Sequence, residues 1–274
     1  MPGTTYVVVG RADAGEAWRE LARVSIPAAD LTPRTVVETI DPPTEWVPEN
    51  LLRFSVTFSS VMDEGSAAGH VHVLDETGAV MPGTLLEMPP ELWDRRRRRL
   101  TVLLEPGRIK RGLQPNVQAG APLREGSTIT LFVDAGLRDA EGAQLVGAAR
   151  RTYRVGAPVR SRIDPTQWEV RWPEDPMGPL VVRFDRPLDR TLVERHLRVV
   201  DGNGHPVAGE ASLDQDARVW VFTPSARGTD RRLRVDARLE DLAGNSVRRV
   251  FDRDLELSAD DGIEAEEIVL SPKG

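Results

Sequence analysis

The stretch FSVTFSSVMDEGSAAGHVHVLDETGAVMPG, residues 54–83, recurs later in the chain as LVVRFDRPLDRTLVERHLRVVDGNGHPVAG, residues 180–209. The two stretches align without a gap. Their identical pairs are Val56/Val182, Phe58/Phe184, Asp63/Asp189, His70/His196, Val73/Val199, Asp75/Asp201, Gly78/Gly204 and Gly83/Gly209. A gapless match of this length indicates an internal duplication. A duplication determines the overall architecture, so it is considered before single motifs.

A second block repeats in the same order. LFVDAGLRDAEGAQL, residues 131–145, lies over LRVDARLEDLAGNSV, residues 233–247, and a shorter echo, IDPPTEW (40–46) and IDPTQW (163–168), precedes each copy. Three matching blocks in one order predict a duplicated unit. The predicted boundaries are a partial unit at 1–39, full units at 40–157 and 158–258, and an acidic tail at 259–274.

Apolar and polar residues alternate throughout both copies. LRFSVTF, HVHVL, LTVLL and TLFVDA have a period of two in the first copy, as do LVVRF, HLRVV, VWVF and LRVDA in the second, and this period indicates strands. Gly, Asp and Asn clusters separate them, as turns require. Only RTLVERHL and AGEAWREL have helical spacing. Many short strands with regular turns predict an all-β fold of tandem immunoglobulin-like (Ig-like) β-sandwiches.

The two ends of the chain fit the same scheme. GTTYVVV (3–9) resembles GSTITLF (126–132), and ELARVSIPA follows at the place of the closing strand RRTYRV. We therefore predict that the N-terminal segment holds the last strands of a further unit and that the natural chain starts upstream of Met1. SADDGIEAEEIVLSPKG is predicted to be a solvated end, whose EIVL might add a strand to a neighbour's sheet.

Composition narrows the class of protein. The 274 residues carry a formal net charge of −7, which argues against a general nucleic-acid binder. The absence of cysteine excludes disulfides, thiolate metal sites and cysteine nucleophiles. No apolar run reaches the ~20 residues needed to span a bilayer. The N-terminus lacks the basic and apolar regions of a secretory signal.

The segment LEDLAGNSV (239–247) has two interpretations. Its glycine allows a positive φ, and its Asp and Asn side chains can close a turn on the backbone. The same side chains could bind calcium, but calcium takes about six to eight oxygen ligands, and one Asp with one Asn supplies too few. The first copy also has Ala143 in place of Asn245. The pattern favours a turn, with calcium as a weak alternative and no other metal or cofactor.

The succession VRFDRPLD, LRVVDGNGHPVAG, VWVFTP and LEDLAGNSV resembles the bacterial Ig-like modules of S-layer-type surface proteins. The first copy has the matching start VTFSSVMD but a divergent late turn, LRDAEGAQL, and the second has Leu188 where Met is usual. The resemblance covers residues ~46–257 and implies an Ig-like fold and an extracellular or cell-envelope location. It implies little about activity, because such modules serve as spacers, stalks, adhesion units and appendages of secreted enzymes.

The copies differ most in one region. Between Gly83 and Leu131 the first copy has 47 residues, whereas the second has 23 between Gly209 and Leu233. The added segments are EMPPELWDRRRRR and GRIKRGLQPNVQAGAPLREG. The five arginines suit a hairpin end better than a polyanion site, because aromatic residues are not interleaved. Long loops either bind partners or pack over a neighbour. The candidate ligand or partner residues are Trp93, Arg108, Lys110, Arg111 and Asn116.

No catalytic motif is recognisable: the sequence has no nucleophile elbow, phosphate loop, dinucleotide fingerprint or His-Glu-x-x-His. His70 and His196 occupy equivalent positions, which favours a structural role. The linkers are rich in proline and therefore stiff, and we expect Trp46, Trp168 and Trp172 to pack at unit boundaries.

These features predict a non-enzymatic structural or adhesive segment whose partners are other modules of the same chain or envelope proteins. The alternative is a polysaccharide-binding accessory module of a secreted enzyme that uses Trp93 and the basic insertion. A third hypothesis is an adhesive segment whose units are stiffened by bound calcium.

Overall fold

The computed structural model describes residues 4–11, 13, 15–26, 31–228, 230–253 and 262–272. Strands predominate, which confirms the all-β prediction. The strands are β1 Thr5–Gly10, β2 Arg19–Ser25, β3 Val37–Asp41, β4 Trp46–Pro48, β5 Arg53–Phe58, β6 Val71–Leu74, β7 Leu92–Trp93, β8 Arg99–Leu103, β9 Thr128–Val133, β10 Ala149–Gly156, β11 Glu169–Arg171, β12 Leu180–Arg183, β13 Leu197–Asp201, β14 Gly209–Leu213, β15 Val219–Pro224, β16 Arg231–Asp236 and β17 Glu267–Leu270. The helices are α1 Pro106–Ile109, α2 Gln114–Ala119 and α3 Arg190–His196, with a 3-10 turn at Pro165–Gln167.

The first unit runs from β3 to β10 and contains two four-stranded sheets. One has the order β3-β5-β8-β7 and the other β4-β10-β9-β6; all pairs are antiparallel except β4 with β10. Side chains of both sheets meet in one hydrophobic core, with Phe54 and Tyr153 in ring contact at 5.5 Å. The alternating burial of β9 produces this arrangement, because every second residue points into the core.

The second unit runs from β11 to β17 and repeats most of this plan. Its sheets have the orders β11-β12-β15-β14 and β13-β16-β17, and they share a separate core. The duplicated blocks form equivalent elements: β5 and β12, β6 and β13, and β9 and β16. Asp75 and Asp201 close the same turn, since each carboxylate accepts two backbone N–H groups from residues two and four positions ahead.

The shorter echo is not a structural repeat, contrary to the sequence prediction. Ile40 lies in β3 and pairs with Val56 of β5, whereas Val170 of β11 pairs with the equivalent residue, Val182 of β12. Ile163 instead precedes the 3-10 turn. The similarity of IDPPTEW and IDPTQW therefore reflects a common proline-turn composition. The first unit also begins with Val37, inside the range predicted for the partial unit.

The C-terminal prediction is wrong for Glu267–Leu270. These residues form β17, which pairs with β16 of their own unit rather than lying in solvent or joining a neighbour's sheet. Ile268 and Leu270 pack against the second core, and this burial explains why the segment returns to the sheet despite the acidic residues before it. β17 takes the place that β10 has in the first unit.

The N-terminal residues form a β-hairpin. β1 pairs antiparallel with β2, so AGEAWREL does not form the helix that its spacing indicated. Strand pairing overrides the helical pattern here, because β1 supplies main-chain partners from Thr5 to Gly10. That these strands are the last strands of a further unit stays a prediction, and residues 1–3, 12, 14 and 27–30 of the predicted partial unit lie outside the described residues.

Candidate functional site: the junction between the units

The turn that contains LEDLAGNSV lies against the first unit. Asp241 Oδ1 accepts the N–H groups of Ala243 (2.9 Å) and Asn245 (2.9 Å), and Gly244 takes a φ of +77°. These contacts close the turn as the sequence predicted. The surroundings of the turn were not predicted, because Leu239, Ala243 and Val247 are fully buried in a segment that resembles a surface loop.

Leu242, at the tip of the turn, belongs to the core of the first unit and not to its own. Its side chain is 9% exposed, and its carbonyl accepts the Leu52 N–H at 2.9 Å. The Leu52 carbonyl in turn accepts the Leu104 N–H at 2.9 Å, next to β8. Burial of a leucine side chain stabilises by about 1.5–3 kcal/mol. The second unit therefore contributes a side chain to the core of the first.

Gly244 allows the closest approach of the two units. A Cβ built at this position would overlap the Leu52 side chain and lie 3.3 Å from Phe251. The positive φ adds a second requirement for glycine, because L-residues with side chains rarely adopt it.

Two asparagines, one from each unit, hold Val159 of the linker. Asn50 donates to the Val159 carbonyl (2.8 Å) and accepts its N–H (2.9 Å). Asn245, which is fully buried, donates to the same carbonyl at 2.9 Å. Asn245 also donates to Asp241 Oδ2 (3.0 Å) and accepts the Phe251 N–H (3.0 Å). Both the nitrogen and the oxygen of its side-chain amide therefore have hydrogen-bond partners, as a buried amide requires.

A buried carboxylate joins the linker, the insertion and the second unit. Asp252 has no exposed side-chain surface and accepts from Arg160 Nε at 2.7 Å and from the Arg111 backbone N–H at 3.1 Å. Arg160 also approaches Glu49 of the first unit, at 4.0 Å. Lys110 lies 4.5 Å from the centroid of the Phe251 ring. The insertion thus packs against the second unit through paired charges and a cation–π contact.

A second set of charges lines the other side of the junction. Arg53 of β5 pairs with Asp189 (2.9 Å) and with Glu240, and Arg190 pairs with Asp41 at 3.3 Å. Burial disfavours the charge on Arg53, yet the two carboxylates raise its pKa above the ordinary value. Burial raises the pKa of Asp41, and Arg190 partly offsets it. Opposite charges therefore face each other across the junction and set the orientation of the units.

Asp241 is the most perturbed acid of the junction. Burial raises its pKa to about 6, against hydrogen bonds from Asn245 and the charge of Arg186, whose Nη1 lies 3.4 Å from Oδ2. Both oxygens of the Asp241 carboxylate therefore accept hydrogen bonds from donors within the protein. Among the described residues, no group of three or more His, Asp or Glu side chains is placed to hold a metal.

Trp93 and Arg108, two of the predicted ligand residues, make contacts within the first unit. The Trp93 ring packs on Phe58 at 5.7 Å, and its Nε1 donates to Glu91 at 2.7 Å. Arg108 donates to the carbonyls of Gly83, Ala119, Gly120 and Ala121, and so ties the insertion to the turn after β6.

The remaining predicted residues lie together beside the junction. Asn116 of α2 donates to the Arg108 carbonyl, and Lys110 and Arg111 contact Phe251 and Asp252 as described above. The structure thus brings Lys110 and Arg111 into the junction and leaves Trp93 away from it. These contacts favour the packing interpretation of the insertion over the ligand-binding one.

The arginine run forms the hairpin end between β7 and β8. Asp94 accepts the N–H groups of Arg98 and Arg99, and Asp214 does the same for Arg218 and Val219 in the second unit. Arg99 reaches across to Thr191 of α3 at 3.0 Å. The run is thus a repeated turn whose last arginine joins the junction.

His70 and His196 have the same role in each unit. Nδ1 lies 3.3 Å from Asp134 in the first unit and 3.3 Å from Asp236 in the second. Hydrogen bonds from Arg238 lower the pKa of Asp236, and the Gly136 N–H lowers that of Asp134. The repetition of one pair in both units is typical of a structural contact rather than a catalytic one.

The key junction residues were missed by sequence reasoning, although the repeat contained a signal. Leu242 stands where the first copy has Ala140, and Asn245 where it has Ala143. An apolar residue added at the tip of a polar turn, beside a new amide, indicates that the turn is covered by a partner.

No helix in the described part of the chain is both long and apolar enough to cross a bilayer. No protein-family model matches the chain, and no curated protein does. Among solved structures, the chain is similar to the N-terminal part of the bacterial S-layer protein SbsC, at 14% identity and a TM-score of 0.32, over 88% of this chain and 44% of that one.

It is also similar to Escherichia coli α2-macroglobulin spanning domains MG0-NIE-MG1, at 9% identity and a TM-score of 0.29, over 87% of this chain and 90% of that one. The chain spans less than half of the SbsC structure. These TM-scores are too low to establish a shared fold or function.

Proposed function

We propose that the chain is a non-enzymatic structural segment of a bacterial surface or secreted protein, built from Ig-like β-sandwiches that are locked in tandem. The observation that carries the proposal is the insertion of Leu242 into the core of the first unit. A side chain that one unit inserts into the core of the other couples the units far more strongly than a flexible linker would. Such a coupling holds the two units at a fixed distance and orientation.

The contacts around Leu242 support a fixed orientation. Val159 is held by Asn50 and Asn245, and the charges of Arg53 and Arg190 pair across the junction on the other side. Contacts on both sides of the junction resist bending of one unit against the other in either direction. The insertion adds contacts at Asp252, which supports its role as a brace rather than a ligand loop.

Calorimetry of the full chain tests the coupling. We expect the two units to unfold in one transition, and Leu242→Ala to separate it into two, because the first core then loses the side chain that the second unit contributes. Leu21→Ala is the matched control, since Leu21 is 68% exposed in the N-terminal hairpin. Two transitions in the unaltered protein, or one in both variants, would contradict the proposal.

The location is tested separately by fractionating the native source and measuring the intact mass of the recovered protein. We expect it in the envelope or the medium. Recovery from the cytoplasm would remove the surface assignment and leave the locked pair of units as an intracellular spacer.

A further inference from the structure

A groove of about 210 Å³ opens at the junction, on the side of β4. The first unit contributes Trp46 and Pro48, the linker contributes Val159, and the second unit contributes Pro187 and Leu242. The lining is mainly apolar. The groove exists only because the units are locked together, since residues of both units and of the linker form its walls.

Trp46 distinguishes this groove from an ordinary crevice. Its side chain is 54% exposed, whereas Trp168 is 6% exposed and packs on Phe184 at 4.7 Å. Of the three tryptophans expected at unit boundaries, Trp168 is buried in the core of the second unit, Trp172 packs against that core and Trp46 is exposed. The Arg154 guanidinium lies 5.5 Å from the Trp46 ring centroid and steadies it from β10. An indole ring held in place but open to solvent offers a flat surface for a ring-shaped ligand.

The charged residues that line the groove are Arg186, Arg218 and Asp241, all of the second unit. Arg186 is fixed by contacts to Asp185 (2.8 Å), to the Ser161 carbonyl (3.0 Å) and to Asp241. Arg218 lines the groove and is exposed, and in the described part of the chain its guanidinium makes no hydrogen bond or ion pair.

The equivalent arginine of the first unit has partners within the protein. There, Arg98 donates to the Phe58 carbonyl at 3.1 Å and pairs with Glu38 at 3.6 Å. The free guanidinium is therefore particular to the groove and is not a feature of the repeated turn. A guanidinium without an internal partner is suited to a planar anion, above all a carboxylate.

We propose that this groove binds a small carboxylate attached to one flat apolar ring, with the ring against Trp46 and the carboxylate on Arg218. The volume is below the roughly 300–1,000 Å³ of drug-sized pockets, so it fits a single ring. The apolar lining offers few partners for hydroxyl groups, and a sugar ring would leave several of them unpaired. Because the ligand touches both units, its binding stabilises the locked junction.

Calorimetric titration of the full chain with 3-phenylpropionate tests the proposal. We expect saturable binding at millimolar concentrations, about tenfold weaker binding for Trp46→Ala and Arg218→Gln, and unchanged binding for the controls Trp18→Ala and Arg96→Gln. 3-Phenylpropanamide tests the charge and is expected to bind about tenfold more weakly. Circular dichroism verifies that each variant is folded.

Three results would overturn the proposal. Absence of saturation at 10 mM would remove the site. Equal affinity for the acid and the amide would remove the role of Arg218. Tighter binding of glucuronate than of 3-phenylpropionate would assign the groove to sugars instead. A rise in melting temperature with ligand that Leu242→Ala abolishes supports binding across the junction.

Discussion

The two late turns, residues 137–145 and 239–247, have the same backbone and different surroundings. In each, the aspartate Oδ1 accepts two N–H groups, at 3.0 Å from Glu141 and Ala143 in the first and at 2.9 Å in the second. The tip of the first turn is exposed, whereas Leu242 and Ala243 are buried. Turn formation and unit docking are thus separate properties, determined by different residues of one nine-residue segment.

The largest expected effect comes from a pair of glycine variants. Gly142 and Gly244 both have a positive φ, so alanine at either position costs about 1–2 kcal/mol. Alanine at 244 also overlaps Leu52, which adds about 1–3 kcal/mol, whereas the nearest atom at 142 lies 3.8 Å away. We expect Gly244→Ala to lower the free energy of unfolding in urea by about 3–4 kcal/mol. Equal losses would show that φ alone requires glycine at these positions.

Asn245→Ala removes the amide that the first turn lacks. The Phe251 N–H loses its acceptor and the Val159 carbonyl keeps only Asn50, which together cost about 2 kcal/mol. The measurement is urea unfolding, with limited proteolysis at the linker as a second readout. Asn203→Ala, in an exposed turn, is the control and is expected to change little. An unchanged free energy of unfolding in Asn245→Ala would show that the asparagine does not stabilise the junction.

The second turn also predicts a pH dependence of stability. Well below pH 3.8 the Asp241 carboxyl is neutral in both the folded and the unfolded chain, so its burial carries no charge penalty. Its folded pKa is raised from 3.8 to about 6, so the unfolded chain ionises first as pH rises. The stabilising contribution of this group therefore falls between about pH 4 and 6, by about 3 kcal/mol, and then levels off.

Urea unfolding at several pH values measures this change. Asp241→Asn is expected to flatten the profile, while Asp139→Asn, at the equivalent position of the first turn, is expected to leave it in place. An unchanged profile in Asp241→Asn would assign the dependence to other groups.

The smallest expected effect concerns calcium. Donors within the protein occupy the carboxylate of Asp241, so calcium and chelator are expected to leave the melting temperature unchanged. Thermal unfolding monitored by circular dichroism, with and without each, measures it. A rise in melting temperature with calcium would revive the calcium interpretation of the turn.

The local sequence pattern was sufficient to predict these strands and the short helix. VTF became part of β5, RTLVERHL became α3, and the repeated aspartates predicted the turns, because each depends on residues close in sequence. β17 was missed because its role depends on pairing with β16 across the intervening chain. Leu242 was missed for a similar reason, since it is buried in the core of the other unit.

One pairing in the first unit governs its response to tension. β4 lies close to where the chain enters that unit and β10 is where it leaves, and they pair in parallel from Trp46/Arg154 to Pro48/Gly156. A pull on the two ends slides these strands past each other and loads their hydrogen bonds together, instead of opening them one at a time. The described part of the second unit pairs its closing strand, β17, only with β16. Under load, we therefore expect the first unit to be the mechanically stronger of the two.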